Sequence, residues 1–330
     1  MQFDQLKRRG FITLLGGAAA AWPLAARGQH TAMPVVALIG GGSPDASAPD
    51  AIAFRKGLNE TSSIEGLTIE YHWLEGQYDR LPALMADLVR RQVAVIATGS
   101  VPAALAAQAA TATIPIVFGV AEDPVRLGLV TNLARPSGNA TGINWFVQEV
   151  AAKRLRLLHD LVPKAVRFAV LINPANVSSA ESTLREVKAA ASSIGLQIQL
   201  RSATTIGEID AAFAALAREP PDALFVAPDA FFSGRRVQFA TLTARDMIPA
   251  VYSNRRYAEV GGLMSYGTDQ TEMFRQVGSY TGRIVKGAKP ADLPVMQSTK
   301  FEFIINLQTA RTLGIEVPSG LLSIADEVIE

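Results

Sequence analysis

A chain of 330 residues with 49% hydrophobic and 18% charged residues can build a globular interior, and it is too long for one core, so two lobes are expected. Thirty-one Lys and Arg against 30 Asp and Glu leave a formal charge of +1, which offers no electrostatic footprint for nucleic acid. The absence of cysteine excludes thiol catalysis, disulfides, cysteine zinc sites and iron–sulfur clusters. Three scattered histidines, His30, His72 and His159, argue against a metal cluster or a Ser-His-Asp triad, so neither metal nor cofactor is expected.

Residues 1–28 read as an export signal. Lys7, Arg8 and Arg9 precede an apolar run from Phe11 to Ala26, and small residues follow at Ala26-Arg27-Gly28. As a helix that run reaches about 24 Å, short of the roughly 30 Å hydrocarbon core, which favours a cleaved signal over a membrane anchor. Arg8-Arg9-Gly10-Phe11-Ile12 resembles the twin-arginine signal, with Lys7 where Ser or Thr usually stands, so twin-arginine and general secretion both remain open. The expectation is a periplasmic protein cleaved near Gly28.

From Pro34 onward strands and helices alternate. Val35–Ile39 is a continuous apolar strand ended by Gly40-Gly41-Gly42-Ser43-Pro44, and Ile52, Phe54 and Leu58 suit a helix face. Leu67–Trp73, Val93–Ala97 and Ile114–Val120 read as strands, with helices over Leu81–Arg91 and Val101–Ala110. The order recurs with strands at Arg167–Ile172, Leu196–Arg201, Ala223–Ala227 and Ile248–Tyr252. Helices fall between them at Ser179–Ile194, Ile206–Arg218 and Arg235–Asp246. The pattern predicts an α/β protein of two doubly wound parallel-sheet lobes. The tail, with a helix at Met273–Lys286, a strand at Phe301–Ile305 and a helix at Leu307–Leu313, is too short for a third core. It is expected to cross back and complete both lobes. Crossings at Gly142–Phe146, Ser265–Thr268 and Pro294–Lys300 give lobe 1 as 34–143 plus 266–297 and lobe 2 as 144–265 plus 298–330, joined by a three-crossing hinge.

Enzyme signatures fail. A dinucleotide fingerprint starting at Gly40 needs glycine where Asp45 stands, and the phosphate-loop spacing of Gly282 to Gly287 has Ala288 in place of lysine. The loops at the carboxyl ends of the strands carry more, because ligands of open α/β sheets bind there against helix N-termini. They hold Gly42 and Ser43, then Thr98-Gly99-Ser100, Glu122-Asp123, Asn173 and Asn176, Asp229, and Ser253-Asn254. Short polar residues in such loops commonly cap helices. Six such loops facing one cleft point beyond capping to a ligand. Thr98-Gly99-Ser100 is the best anion site, its glycine permitting close backbone approach; Asp123 and Asp229 are placed to meet an ammonium group. Tyr78, Tyr252 and Tyr266 offer phenols for a wet site or an interfacial structural role, Phe118 within its strand reads as core with apolar contact as the alternative, Phe231 offers apolar contact, and Trp145 reads as hinge packing.

Several longer stretches carry a resemblance. They are Glu75-Gly76-Gln77-Tyr78-Asp79-Arg80-Leu81-Pro82, Thr113-Ile114-Pro115-Ile116-Val117-Phe118, Asp123-Pro124-Val125, Gly138-Asn139-Ala140-Thr141-Gly142, Gly261-Gly262-Leu263-Met264-Ser265-Tyr266-Gly267, and the run from Lys286-Gly287 through Lys289-Pro290-Ala291-Asp292-Leu293-Pro294. Together they resemble exported substrate-binding proteins of ABC transporters related to the tryptophan/tyrosine-binding type. The resemblance implies a type I periplasmic-binding-protein-like fold and a non-enzymatic protein. It implies capture of a small molecule, of amino acid or aromatic acid type, and its delivery to an ABC permease in the inner membrane. Ser43, Thr98, Asp123, Asn173, Asn176 and Asp229 lie where that family's cleft loops stand. Two departures leave the ligand open: Thr98 is followed by Gly99-Ser100-Val101-Pro102 rather than directly by proline, and Ala230-Phe231-Phe232 follows Asp229 where the tryptophan-binding branch has a polar residue.

The binding set expected on these grounds is Gly42, Ser43, Thr98, Gly99, Ser100, Asp123, Asn173, Asn176, Asp229, Tyr252 and Tyr266, in a monomer. An exported sensing module for a membrane receptor is the alternative. An α/β enzyme using Asp123 and Asp229 as acid and base is the third reading.

Overall fold

The computed structural model describes residues 33–62, 66–145, 150–298 and 300–330. The export-signal reading therefore lies outside the described residues, as do Phe146 and Thr299 of the expected crossings. Among the described residues no helix is long and apolar enough to cross a membrane, and no cluster of His, Asp and Glu could hold a metal ion.

Pro34–Glu330 folds around two sheets. In chain order, β1 (Val35–Gly40), α1 (Ala48–Thr61), β2 (Thr68–Trp73), α2 (Leu81–Arg90), β3 (Val95–Thr98), α3 (Val101–Ala110), β4 (Ile116–Val120) and β5 (Ala140–Asn144) build the first. With β11 (Met296–Gln297) it has six strands in the order β11-β5-β4-β3-β1-β2, paired in parallel throughout. Strands of this kind are buried on both faces, and the runs Val36–Ile39 and Ile116–Val120 are accordingly apolar without alternation.

The second sheet uses β6 (Arg167–Ile172), β7 (Gln197–Ser202), β8 (Ala223–Val226), β9 (Ala250–Tyr252) and β10 (Met264–Thr268), then β12 (Phe301–Asn306) and β13 (Glu327–Ile329). Its order is β13-β12-β10-β9-β8-β6-β7, and its one antiparallel pair is β10 with β12. Around it lie α4 (Ala151–Leu161), α5 (Val177–Ser193), α6 (Ile206–Arg218), α7 (Ala230–Gly234), α8 (Arg236–Arg245) and α9 (Arg255–Glu259). After β10 the chain returns to the first sheet as α10 (Gln270–Val285), packed on α1. It ends on the second with α11 (Leu307–Thr312), α12 (Ser319–Ile324) and β13.

All three expected crossings contain strand residues, those of the third being β11 (Met296–Gln297). Gly142 lies in β5, whose partners in register are Phe118 of β4 and its neighbours. The boundary expected at 265/266 falls inside β10, which stays in the second sheet to Thr268 because Thr268 pairs with Phe301. The unmarked stretch before Arg167 holds α4, with Ala151, Leu155, Leu158 and Leu161 buried at helical spacing. Each lobe carries apolar clusters on both faces of its sheet.

Strand order fixes where a ligand can enter. The chain direction of winding reverses between β1 and β3 in the first sheet and between β6 and β8 in the second. At such switch points the loops diverge and leave a crevice at the carboxyl ends of the strands. The loops after β1, β3, β6 and β8 are the ones that meet between the lobes.

Candidate ligand-binding cleft

A cavity of about 50 Å³, room for roughly four waters, lies between the lobes. Its first-lobe wall is Gly99, Ser100 and Val101 after β3, Gly119, Ala121 and Glu122 at the end of β4, and Trp145 after β5. Asn176 and Ser179, Pro228, Asp229, Ala230 and Ser233, and Ser253 and Asn254 come from the second lobe, and Gln270 from the start of α10. Among the described residues no lysine or arginine lines it.

Besides α10, four helices start at this cavity with their cap residues in its wall, and those caps behave differently. Asp229 caps α7 through its side chain, accepting from the Phe231 and Phe232 N–H groups at 3.0 and 3.3 Å. Ser100, Asn176 and Asn254 stand at the same position before α3, α5 and α9, yet none bonds its own helix. Instead Ser100 Oγ, Asn176 Oδ1 and Asn254 Oδ1 are buried without partners, as are both carboxylate oxygens of Glu122 and the Trp145 indole N–H. A buried polar group left unpaired costs about 1–3 kcal/mol, and here residues from both lobes bear that cost around one cavity. The first turn of α3 adds N–H groups without intrahelical acceptors, Pro102 excepted.

Asp229 is held from every side. Asn173 Nδ2 donates to Oδ1 and Asn176 Nδ2 to Oδ2, each at 3.0 Å, in addition to the two backbone donors. Burial pushes its carboxyl above the ordinary range while these donors pull it down. Across the interface, burial and the neighbouring Asp229 carboxylate raise the Tyr78 phenol well above its usual value. Glu122 differs: it is 8% exposed, and burial raises its carboxyl to about 7, opposed only by its own backbone N–H.

Of the expected residues, Gly99, Ser100, Asn176 and Asp229 share the cavity, and Asn173 stands behind Asp229. Gly42 lines an adjoining cavity of about 20 Å³ that also contacts Gly99, Ala230, Ser233 and Gln270. Ser43 accepts from the Ser47 N–H through its carbonyl and lines neither. Thr98 is fully buried in β3, one residue short of the wall. Asp123 accepts from the Val125 N–H at 2.8 Å and faces a third cavity at the outer rim with Arg126, Glu181 and Arg185. Asp123 and Asp229, weighed as an acid–base pair, line different cavities. Tyr252 stacks on Tyr257 at 4.4 Å in the core, its hydroxyl 3.2 Å from Thr243 Oγ1. Tyr266 stacks on Phe301 at 5.9 Å. Phe118 and Phe231 are core as well. Gly99 also has another reason for being glycine: a Cβ there would lie 2.3 Å from Phe274 Cζ of α10.

Glu122, Trp145, Ser179, Ser233 and Gln270 belong to the wall and were not among the expected residues. Glu122 was within reach of sequence reasoning. Asp before Pro is a turn-initiating pattern, which commits Asp123 to the local turn and leaves its neighbour free.

The lobes meet firmly beside this cavity. Asp50 of α1 is 2% exposed, and Arg256 of α9 donates to its Oδ1 from the other lobe. Gln270 donates to Oδ2 at 3.1 Å, and Arg256 also reaches Thr271 Oγ1 at 2.9 Å.

Two doubly wound lobes closed over a polar cleft at their switch points define a solute-binding protein of the type I periplasmic fold. The chain belongs to the family described as ABC transporter substrate binding protein, whose model matches residues 36–329. A tyrosine-binding protein of Clostridioides difficile is 26% identical over 265 residues, covering 80% of this chain and 76% of that protein. A domain from Streptococcus pneumoniae solved in complex with L-Trp superposes with a TM-score of 0.80 at 25% identity, covering 90% of this chain and 99% of the other. A ligand-free, open substrate-binding protein with adhesive properties from Clostridium difficile shares the fold at 24% identity and a TM-score of 0.60, covering 90% and 99%.

Proposed function

We propose that this protein is the exported receptor of an ABC importer, closing its two lobes over an amino acid of the aromatic class and presenting it to a membrane permease. Residues 34–143 with 266–297, and 144–265 with 298–330, are the moving bodies, adjusted by the few residues through which β5 and β10 extend. The observation that carries the reading is the ring of buried, unpartnered polar atoms on Ser100, Glu122, Trp145, Asn176 and Asn254. A ligand rich in hydrogen-bonding groups can pair with atoms of this ring, and only a closed cleft brings both lobes to it. Family membership supports the role, and the relative named as tyrosine-binding and the one solved with L-Trp support the class.

The division of labour follows from the wall. Ser100 Oγ and the first turn of α3 supply donors and positive partial charge for the ligand carboxylate. Val101, Ala121, Trp145 and Pro228 supply apolar surface. A micromolar ligand needs about 8 kcal/mol and a charged hydrogen bond gives roughly 1.5–3, so that surface contributes much of the affinity. At about 50 Å³ the cavity is far smaller than the 300–1,000 Å³ of an ordinary small-molecule site, so the lobes must part from this arrangement both to admit the ligand and to hold it.

The test is a thermal-shift screen of purified protein against the twenty amino acids, their deaminated acids, and a set of sugars and nucleosides, followed by calorimetry. Stabilisation by aromatic amino acids, growing with ligand concentration, is the expected result. Stabilisation confined to sugars or nucleosides would overturn the amino-acid reading, and failure of a membrane permease to accept the loaded protein would overturn the import role.

A further inference from the structure

Two carboxylates reach the cleft cavity, and only one is free to act. The oxygens of Asp229 already accept from Asn173, Asn176 and two backbone N–H groups. Glu122 has both oxygens buried and unpartnered. Among the described residues no cationic side chain lines the cavity to balance it. Burying a lone carboxylate costs several kcal/mol, so the group either takes a proton or meets a cation brought from outside.

The position of Glu122 suits an amino-acid head group. Ser100 and Glu122 stand in the loops after β3 and β4, neighbouring parallel strands paired with Thr98 opposite Phe118. Neighbouring strands lie about 4.8 Å apart, a spacing that one α-carbon bearing a carboxylate and an ammonium can bridge. The carboxylate end goes to Ser100 and the first turn of α3, and the ammonium end to Glu122.

We propose that Glu122, and not Asp229, is the receptor for the ligand's ammonium group. This deepens the amino-acid reading above and rests on it. Charged groups on the surrounding elements do not replace the ligand. Asp229 at the start of α7 is a second anion; Asp123 and Arg126 lie on the same loop as Glu122, and Glu181, Arg185 and Glu186 face it from α5 across the rim cavity. None of them hydrogen-bonds the Glu122 oxygens.

The sign of the pH effect follows. Burial holds the Glu122 carboxyl at about 7, so below that value the proton must leave before an ammonium group can pair. Affinity for an amine-bearing ligand therefore rises with pH up to neutrality and then levels.

Calorimetry with L-tryptophan and with indole-3-propionate, the same ring and carboxylate without the amine, tests the assignment at pH 5.5, 6.5 and 7.5. In the wild type, tryptophan should gain roughly tenfold or more in affinity across that range, while indole-3-propionate should weaken or stay level. Glu122→Gln should flatten the tryptophan profile and weaken tryptophan at least tenfold more than it weakens indole-3-propionate. A Glu122→Gln variant that weakens both ligands equally, or a wild-type tryptophan affinity independent of pH, overturns the proposal. If neither amino acid nor analogue binds the wild type, the amino-acid reading fails separately. Arylalkylammonium probes against their neutral alcohols then test Glu122 alone, and no preference for the ammonium overturns it.

Discussion

Replacing Asp229 with alanine should damage the second lobe before it says anything about ligand. Four buried donors converge on that carboxylate: the Asn173 and Asn176 amides at 3.0 Å and the Phe231 and Phe232 N–H groups at 3.0 and 3.3 Å. Loss of an N-cap acceptor costs about 1 kcal/mol. Each side-chain amide left without an acceptor adds about 1–3 kcal/mol, with the low end applying where water enters the vacated space. The expected destabilisation is about 3 kcal/mol, which for a chain of this size lowers the midpoint by roughly 5–10 °C. Asp229→Asn keeps one acceptor oxygen but points an amide at donors, and should fall between the wild type and alanine. Differential scanning calorimetry of the ligand-free proteins measures this. An alanine variant melting within 1 °C of wild type would refute the view that Asp229 is a structural cap, and would return it to the list of free ligand-binding carboxylates.

Three further outcomes follow from the lobe interface and the cleft. A Cβ at Gly41 would sit 2.7 Å from the Ala230 Cβ of the facing lobe, so Gly41→Val should hold the lobes apart. Small-angle scattering with saturating ligand should then show a larger radius of gyration than wild type, and equal compaction would refute the contact. Arg256→Ala strands the buried Asp50 carboxylate in the closed form only, because opening exposes it to water, so it should weaken ligand at least tenfold without altering the main cavity wall. Unchanged affinity by calorimetry would show that the pair does not bias closure. The Glu122 carboxyl, held at about 7 in the fold against an ordinary value near 4.5, binds its proton more tightly folded than unfolded. Ligand-free stability should therefore fall as pH rises from about 4.5 to 7, and Glu122→Gln should remove that component of the melting profile.

The sequence by itself determined the elements and their class, because strand and helix periods are local. Val35–Ile39 against Val35–Gly40, and Val101–Ala110 identically, show how little tertiary context those segments needed. It also determined that polar residues gather where strands end. It did not reveal that Gly142 and Ser265 lie in strands, since short segments of mixed polarity become strands only when a neighbouring strand supplies their hydrogen bonds. The division of roles inside the cleft was decided by tertiary structure alone. Asp229 is saturated because Asn173 and Asn176, more than fifty residues away, fold onto it. Glu122 is left without a partner for either oxygen, whereas its neighbour Asp123 turns back to the Val125 N–H. Tyr252 reads like any wet-site phenol until Tyr257 stacks on it. A side chain's chemistry is written in its own formula, but whether its hydrogen bonds are already spoken for depends on residues far along the chain, and that only the fold decides.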